Sequence, residues 1–109
     1  SIQLLRETFS HPQPVQGPLL VWWDGDARSI ATSIFYARRP VQQIQLQPIP
    51  PGTLTDRYLY QPQTLNEAIA SGSHLLLLDK PLIQRIPSGY SYRPIVSGRY
   101  MEVGIIAKQ

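Results

Sequence analysis

The segment from Leu19 to Pro40 constrains the fold more than any other part of the chain. It begins with a short apolar strand over 18–23 and passes through the acidic turn Asp24-Gly25-Asp26 into an amphipathic helix that Pro40 ends. The helix is predicted from apolar residues that recur at spacings of three and four, namely Ala27, Ile30, Ala31, Ile34 and Phe35. A strand that leads through a turn into a helix is the first half of an α/β unit. The acidic turn therefore lies where such proteins usually bind ligands.

The composition limits the classes of protein to consider. With 109 residues, the chain forms one domain with a modest core. It contains no cysteine, which excludes disulfides, zinc–thiolate sites and cysteine nucleophiles. The net charge is +3, but the arginines are scattered and only Arg38 and Arg39 are adjacent, so we expect no nucleic-acid partner. No run approaches the roughly 20 apolar residues of a membrane span, and we expect the isolated chain to be soluble.

The other segments in the first two thirds of the chain carry both helix and strand signals. Residues 1–17 predict an N-terminal helix followed by a proline-rich lead-in. Residues 41–46 are rich in glutamine and predict a second strand that is exposed on one side. After a long proline-rich connection, Thr64 forms a capping box with Glu67 and starts a short helix that ends at Gly72.

The last third of the chain is dominated by strand signals. Residues 75–78 form a continuous apolar run, as expected for a strand that is covered on both faces. Residues 82–86 predict one further helical turn. Two strand-like runs then predict a β-hairpin, in which Pro94 indicates an edge strand because it lacks a backbone donor. The two runs are 92–96 and 99–108, joined by Ser97-Gly98.

The predicted fold class is α/β. About three parallel strands and the C-terminal hairpin form a mixed sheet, and helices cover both of its faces in a three-layer, Rossmann-like arrangement. One such domain spans 1–109, with the N-terminal helix and its lead-in over 1–17. Because the sequence starts at Ser1 without an initiator methionine, we expect it to be either a processed chain or, as favoured here, a piece excised from a larger membrane protein.

Asp24 and Asp26 are the sharpest candidates for chemistry. Two carboxylates at the end of a strand offer oxygen ligands to a divalent cation. An aspartate in this place also resembles the nucleophile of phosphatases of the haloacid dehalogenase type. The alternative is that Asp26 caps the following helix while Asp24-Gly25 forms the turn. Since Ala27-Arg28 departs from the phosphatase motif, the capping interpretation is favoured and no metal site is predicted.

The remaining polar residues favour structural roles. Asp79-Lys80 ends the third strand near the expected position of Asp24, and a salt bridge or a turn is the favoured interpretation there. His11 and His74 lack the spacing of a metal site. The six tyrosines exceed what a small core needs, which indicates a contact surface with another domain.

The end of the predicted helix, Phe35-Tyr36-Ala37-Arg38-Arg39-Pro40, carries a family resemblance. It is similar to a Phe-Tyr-x-x-Arg-Pro-like stretch in the C-terminal soluble domain of C-type, polyprenyl-phosphate-dependent membrane glycosyltransferases, the aminoarabinose-transferase and protein-mannosyltransferase-like group. The order of elements over most of 18–108 is similar as well. The corresponding segments are 19–23, 29–40, 41–46, 65–70, 75–80 and 99–107.

The resemblance implies a parent enzyme that moves a sugar from a polyprenyl-phosphate carrier to an acceptor on the extracytoplasmic, periplasmic face of a membrane. Because the catalytic and metal-binding residues of this family lie in its membrane portion, no catalytic residue transfers to this chain. Phe35, Tyr36, Arg39 and Pro40 transfer as structural positions. The implied domain is non-catalytic and needs no cofactor. Its partner is the transmembrane portion of its own chain, with the lipid-linked sugar or the acceptor as further candidates, and we expect a monomer in isolation.

Two alternatives from other classes stay open. One is a small metal- or phosphate-handling α/β enzyme centred on Asp24 and Asp26. The other is a free-standing interaction module that binds its partner through the tyrosines. The three hypotheses differ in where they place the functional residues: outside this chain, at the acidic turn, or on the tyrosine-rich surface.

Overall fold

A computed structural model of the chain describes residues 2–9, 15–22, 37, 39–45 and 63–109. The acidic turn at Asp24 and Asp26 lies outside these residues, as does most of the helix predicted to follow it. Of that helix, Ala37 is described, and it is helical and buried. Within the motif that carries the family resemblance, Phe35 and Tyr36 lie outside the described residues, whereas Arg39 and Pro40 lie inside them.

The described residues form a six-stranded mixed sheet. The strands are β1 (Leu19–Trp22), β2 (Val41–Gln45), β3 (Gln63–Thr64), β4 (Ser73–Asp79), β5 (Tyr90–Ser97) and β6 (Met101–Lys108). They lie in the order β3-β2-β1-β4-β6-β5. β1 pairs in parallel with β2 and β4, and β2 pairs in parallel with β3. β6 pairs antiparallel with both β4 and β5, which adds the C-terminal hairpin to one side of the parallel strands.

The central strands β1 and β4 are apolar because both of their faces are covered. Residues 75–78 of β4 are at most 1% exposed, which confirms the prediction of a strand buried on both sides. Since side chains alternate along a strand, Leu75 and Leu77 join a buried cluster on one face of the sheet, here called the first face. Leu76 and Leu78 join a separate cluster on the second face, and β1 is divided in the same way.

The helices whose two ends both lie within the described residues are short. They are α1 (Ile2–Phe9), α2 (Leu65–Ala68) and a 3₁₀ helix (Lys80–Arg85). α1 packs on the first face through Leu4, while Leu65 of α2 and Leu82 of the 3₁₀ helix pack on the second. The predicted capping box is confirmed. The Thr64 hydroxyl accepts from the backbone N–H of Glu67, and the Glu67 carboxylate accepts from the backbone N–H of Thr64, both at 3.3 Å.

The predicted fold class is wrong. In place of a three-layer, Rossmann-like arrangement, the described residues form a six-stranded mixed sheet with few, short helices, in which strand predominates over helix. The helix predicted to end at Gly72 is only one turn long, because the backbone at Ile69 has already left the helical region (φ −119°, ψ 76°). The first hairpin strand, β5, is eight residues long and exceeds the predicted run 92–96, whereas β6 begins at Met101, two residues later than the predicted run 99–108. Single helical turns of this kind do not build continuous layers.

The sequence predicts the edge position of β5 correctly, but it does not predict the burial of β2. The prediction that Pro94 lies in an edge strand is confirmed, because β5 is the last strand on its side of the sheet that the described residues form. The prediction that β2 is exposed on one side is wrong for Gln43, which is 0% exposed. β2 lies inside the sheet between β1 and β3, and Gln43 is aligned with Val21, whose side chain belongs to the buried cluster of the first face. Gln43 is therefore buried, although the sequence pattern assigns its position to solvent.

Candidate functional site

The carboxyl-terminal edge of the parallel strands is where the sequence predicts a ligand site. Trp22 of β1 is aligned with Leu78 of β4, so the two strands end side by side. β2 lies on the opposite side of β1, which makes the junction of β1 and β4 the point where the strand order reverses. Open parallel sheets usually bind ligands at such a point. Asp24 and Asp26 follow β1 in the sequence, and both lie outside the described residues.

Asp79 and Lys80 are the described polar residues at the end of β4. Asp79 is aligned with Met101 of β6, and the backbone N–H of Lys80 donates to the carbonyl of Tyr100 at 2.9 Å. The end of β4 is therefore held against the turn of the hairpin. In the part of the chain that the structure describes, no group of three His, Cys, Asp or Glu side chains is arranged to hold a metal ion. Asp24 and Asp26 lie outside the described residues, so the favoured capping interpretation and the alternative of metal ligands both stay predictions.

Arg39 and Pro40 lie at the opposite, amino-terminal edge of the sheet. The guanidinium Nη1 of Arg39 donates to the carbonyls of Val15 and Gly17, at 3.1 and 3.2 Å. The carbonyl of Pro40 accepts from the backbone N–H of Leu19 at 2.8 Å. The pair thus fixes the chain that enters β1 to the chain that enters β2. These contacts border a cavity of about 370 Å³ lined by Gln16, Gly17, Pro18, Arg39 and Pro40.

This contact predicts a stability effect for Arg39. We expect Arg39→Ala to lower the free energy of unfolding by about 1–2 kcal/mol, because two carbonyls lose a charged donor at a site that is only half-buried. Urea unfolding measures the change. Arg85→Ala removes the same charge at an exposed position of the 3₁₀ helix and is the matched control. Equal losses in the two variants would contradict a specific role for the Arg39 hydrogen bonds.

A second polar cluster lies on the hairpin, and it is not predicted from the sequence. Glu102 of β6 is only 6% exposed. Its Oε1 accepts a hydrogen bond from the Ser97 hydroxyl at 2.7 Å, and its Oε2 accepts one from the Tyr92 hydroxyl at 3.2 Å. A buried carboxylate is costly without hydrogen-bond donors, and here two hydroxyls of the neighbouring strand β5 supply them.

The ring of Tyr92 is held by close packing as well as by this hydrogen bond. Gly104 lies beneath it, and a Cβ atom at that position would come within 3.0 Å of the ring. Burial raises the pKa of Tyr92 well above its usual value, and the negative charge of Glu102 and its hydrogen bond to the hydroxyl raise the pKa further. The cluster keeps Tyr92 protonated and donating to Glu102.

The raised pKa of Tyr92 predicts a loss of stability in alkali. Protonated tyrosine is favoured in the folded state, so this contribution is complete below the unfolded-state pKa of about 10 and is lost as the pH rises above it. We expect the stability difference between the wild type and Tyr92→Phe to be constant at neutral pH and to shrink above about pH 10. Denaturant unfolding over a pH series measures this difference. A difference that grows with pH would contradict the assignment.

Alternation in the sequence does not reveal this cluster. Along β6 it separates the apolar set Met101, Val103, Ile105 and Ala107 from the set Glu102, Gly104, Ile106 and Lys108. The pattern therefore assigns Glu102 to the more polar face, although the structure buries it beside Ile106. The sequence does not show which residues of β5 lie opposite, because that depends on the hairpin register, which has an irregularity between Pro94 and Val96.

Comparisons with protein-family models, with curated proteins and with solved structures gave no match to this chain. No helix in the described residues is both long enough and apolar enough to cross a membrane.

Proposed function

We propose that this chain is a non-catalytic, extracytoplasmic domain of a membrane glycosyltransferase that transfers a sugar from a lipid-phosphate carrier. Its role is to pack against the transmembrane portion of the same protein or to help admit the acceptor or the lipid carrier. The proposal starts from the resemblance over 18–108 and from the motif that ends in Arg39 and Pro40.

The observation that carries the proposal is the pair of hydrogen bonds that Arg39 donates to the backbone. A guanidinium group is a strong ligand for phosphate or carboxylate, so its partners in the folded domain bear on whether Arg39 has a structural or a ligand-binding role. Here Nη1 donates to two backbone carbonyls of the same domain. Pro40 likewise contacts Leu19 of β1. The two described motif residues thus hold strands together, as expected of structural positions.

The buried carboxylate supports the same proposal. Both oxygens of Glu102 accept hydrogen bonds from hydroxyls of β5, and its side chain is almost fully covered. Its partner Tyr92 is protonated at neutral pH, as any tyrosine is, and its raised pKa keeps it protonated further into alkali. Such a cluster stabilises a hairpin and offers no poised base or nucleophile to a substrate.

The complete gene product tests the proposal. We expect it to contain, outside these 109 residues, several segments of roughly 20 apolar residues each. We also expect Arg39→Ala, introduced into that full-length protein, to lower the amount of folded protein while leaving the sugar-transfer rate per folded molecule unchanged. A gene product without such segments would contradict the proposal.

One observation favours a second candidate, a small metal- or phosphate-handling enzyme centred on Asp24 and Asp26. The parallel register ends with Trp22 beside Leu78, at the point where the strand order reverses, and both aspartates follow this point closely in the sequence. Titration with Mg²⁺ or Mn²⁺, followed through the backbone amide resonances of 24–28, distinguishes the candidates. Saturable shifts that disappear in Asp24→Asn would favour the enzyme, and unchanged resonances would favour a helix cap.

A further inference from the structure

The charges of the chain are unevenly distributed. Residues 80–109 contain five of the ten basic residues and one of the seven acidic residues. The acidic one is Glu102, which is buried and hydrogen-bonded within the hairpin. The basic residues are exposed, except for Lys80, which is half-buried. They are Lys80, Arg85, Arg93, Arg99 and Lys108. The hairpin and the 3₁₀ helix therefore present positive charge to solvent without an exposed acidic side chain of their own.

The turn of the hairpin combines this charge with an exposed aromatic ring. Tyr100 is 68% exposed, and the guanidinium of Arg99 lies over its ring at 5.1 Å from the centroid. Lys80 adjoins the turn through its backbone hydrogen bond to Tyr100. Asp79, the acidic residue beside Lys80, is half-buried. Lys80, Arg99 and Tyr100 together are called the hairpin-turn surface below.

We propose that the hairpin-turn surface binds the phosphate-bearing surface of an anionic phospholipid bilayer. Arginine binds phosphate oxygens with two parallel hydrogen bonds, and lysine supplies a further point charge. Tyrosine suits the boundary between lipid and water because its ring is apolar while its hydroxyl is polar. The inference rests on the proposed function, since a domain attached to a membrane enzyme works next to a bilayer.

A bilayer fits this surface better than a nucleic acid does. Proteins that bind single strands stack successive bases on several aromatic side chains along a positively charged groove. The hairpin-turn surface offers one such ring, and the other large apolar side chain exposed among the described residues is Ile95. The basic residues are also widely separated. Lys108 is aligned with Tyr90 at the end of β6 away from the turn, about 24 Å along the strand from Met101.

Flotation with lipid vesicles tests the inference on the intact chain. The probes are vesicles of phosphatidylcholine alone and vesicles of about three parts phosphatidylcholine to one part phosphatidylglycerol, in buffer of about 0.1 M ionic strength. We expect binding to the anionic vesicles that weakens as salt is added, and little binding to the neutral ones. Equal binding to both would overturn the proposal, as would no binding to either.

Matched variants show whether the turn makes the contact. Arg99→Gln should weaken binding to anionic vesicles about fivefold, the usual effect of one basic side chain at a bilayer surface. Tyr100→Ser should also weaken binding to anionic vesicles, although it leaves the net charge of the chain unchanged. Lys108→Gln removes the same charge at the far end of β6, more than twice the Debye length of about 10 Å away, and should change binding less than twofold. A loss in Lys108→Gln equal to that in Arg99→Gln would overturn the proposal in favour of unspecific attraction.

Two further outcomes separate this inference from others. Binding of a labelled single-stranded oligonucleotide that depends on Arg99, without binding to anionic vesicles, would replace the bilayer with a nucleic acid. The proposed function is tested separately, by the membrane spans and sugar transfer of the complete gene product. If those tests succeed while vesicle binding fails, the hairpin-turn surface loses its assigned partner and the proposed function stands.

Discussion

Gly104→Ala is expected to lower the free energy of unfolding by about 2–3 kcal/mol, although alanine ordinarily suits a β-strand better than glycine does. The reason is the ring of Tyr92, which lies within 3.0 Å of the position that the new Cβ atom would occupy. The ring cannot move freely, because its hydroxyl donates to Glu102 and its edge packs against the cluster of the second face. The added methyl group therefore strains the hairpin or breaks the hydrogen bond.

A double-mutant cycle shows whether the ring causes this loss. Tyr92→Ala removes the ring, and in that background Gly104→Ala should cost less than about 1 kcal/mol. Urea unfolding of the wild type, the two single variants and the double variant gives the four free energies. If Gly104→Ala costs as much without the ring as with it, the close approach of Tyr92 is not the cause.

Glu102→Ala is expected to have the second large effect, a loss of about 2 kcal/mol in the free energy of unfolding. The substitution leaves the half-buried hydroxyl of Tyr92 without its acceptor. The hydroxyl of Ser97 loses its acceptor too, but Ser97 is exposed and finds water instead. Glu102→Gln keeps an acceptor oxygen in nearly the same place and should cost about 1 kcal/mol or less.

The control for Glu102 is the background Tyr92→Phe. Because Tyr92→Phe removes the hydroxyl, Glu102→Ala no longer leaves a hydrogen-bond donor without an acceptor at this position. Its cost in free energy of unfolding should therefore fall by about half. Thermal or urea unfolding at neutral pH measures both costs. Identical costs in the two backgrounds would show that Glu102 and Tyr92 do not stabilise one another.

Local features of the fold are predictable from the sequence because their causes lie within a few residues. The capping box of Thr64 and Glu67 depends on side chains three positions apart. The edge position of β5 follows from Pro94, whose missing donor is a property of one residue. The burial of 75–78 follows from an apolar run without a polar face.

The features that the sequence does not predict depend on residues that are distant in the chain. Apolar periodicity cannot tell the single turn of α2 from a longer helix, and the fold class built on longer helices is wrong. Gln43 is buried because β2 is flanked by β1 and β3, a fact of strand order and not of pattern. The Glu102 cluster likewise requires the register of β5 and β6.

The candidate site is predictable only in part, for the same reason. The sequence marks Arg39 and Pro40 through a family resemblance, but the partners of Arg39 are carbonyls more than twenty positions away, at Val15 and Gly17. Asp24 and Asp26 lie outside the described residues, so their roles as a cap or as metal ligands stay a prediction. Under the proposed function, the chemistry is located outside this chain and Arg39 has a structural role.

Sugar transfer by the complete gene product is the most direct test of this central claim. The measurement is the rate, per folded molecule, at which a labelled sugar moves from a polyprenyl-phosphate carrier to acceptor, in the wild type and in the double variant Asp24→Asn, Asp26→Asn. A non-catalytic domain predicts that both proteins transfer sugar and that their rates agree within about twofold. No transfer by the wild type, or a loss of more than about tenfold in the folded variant, would contradict it.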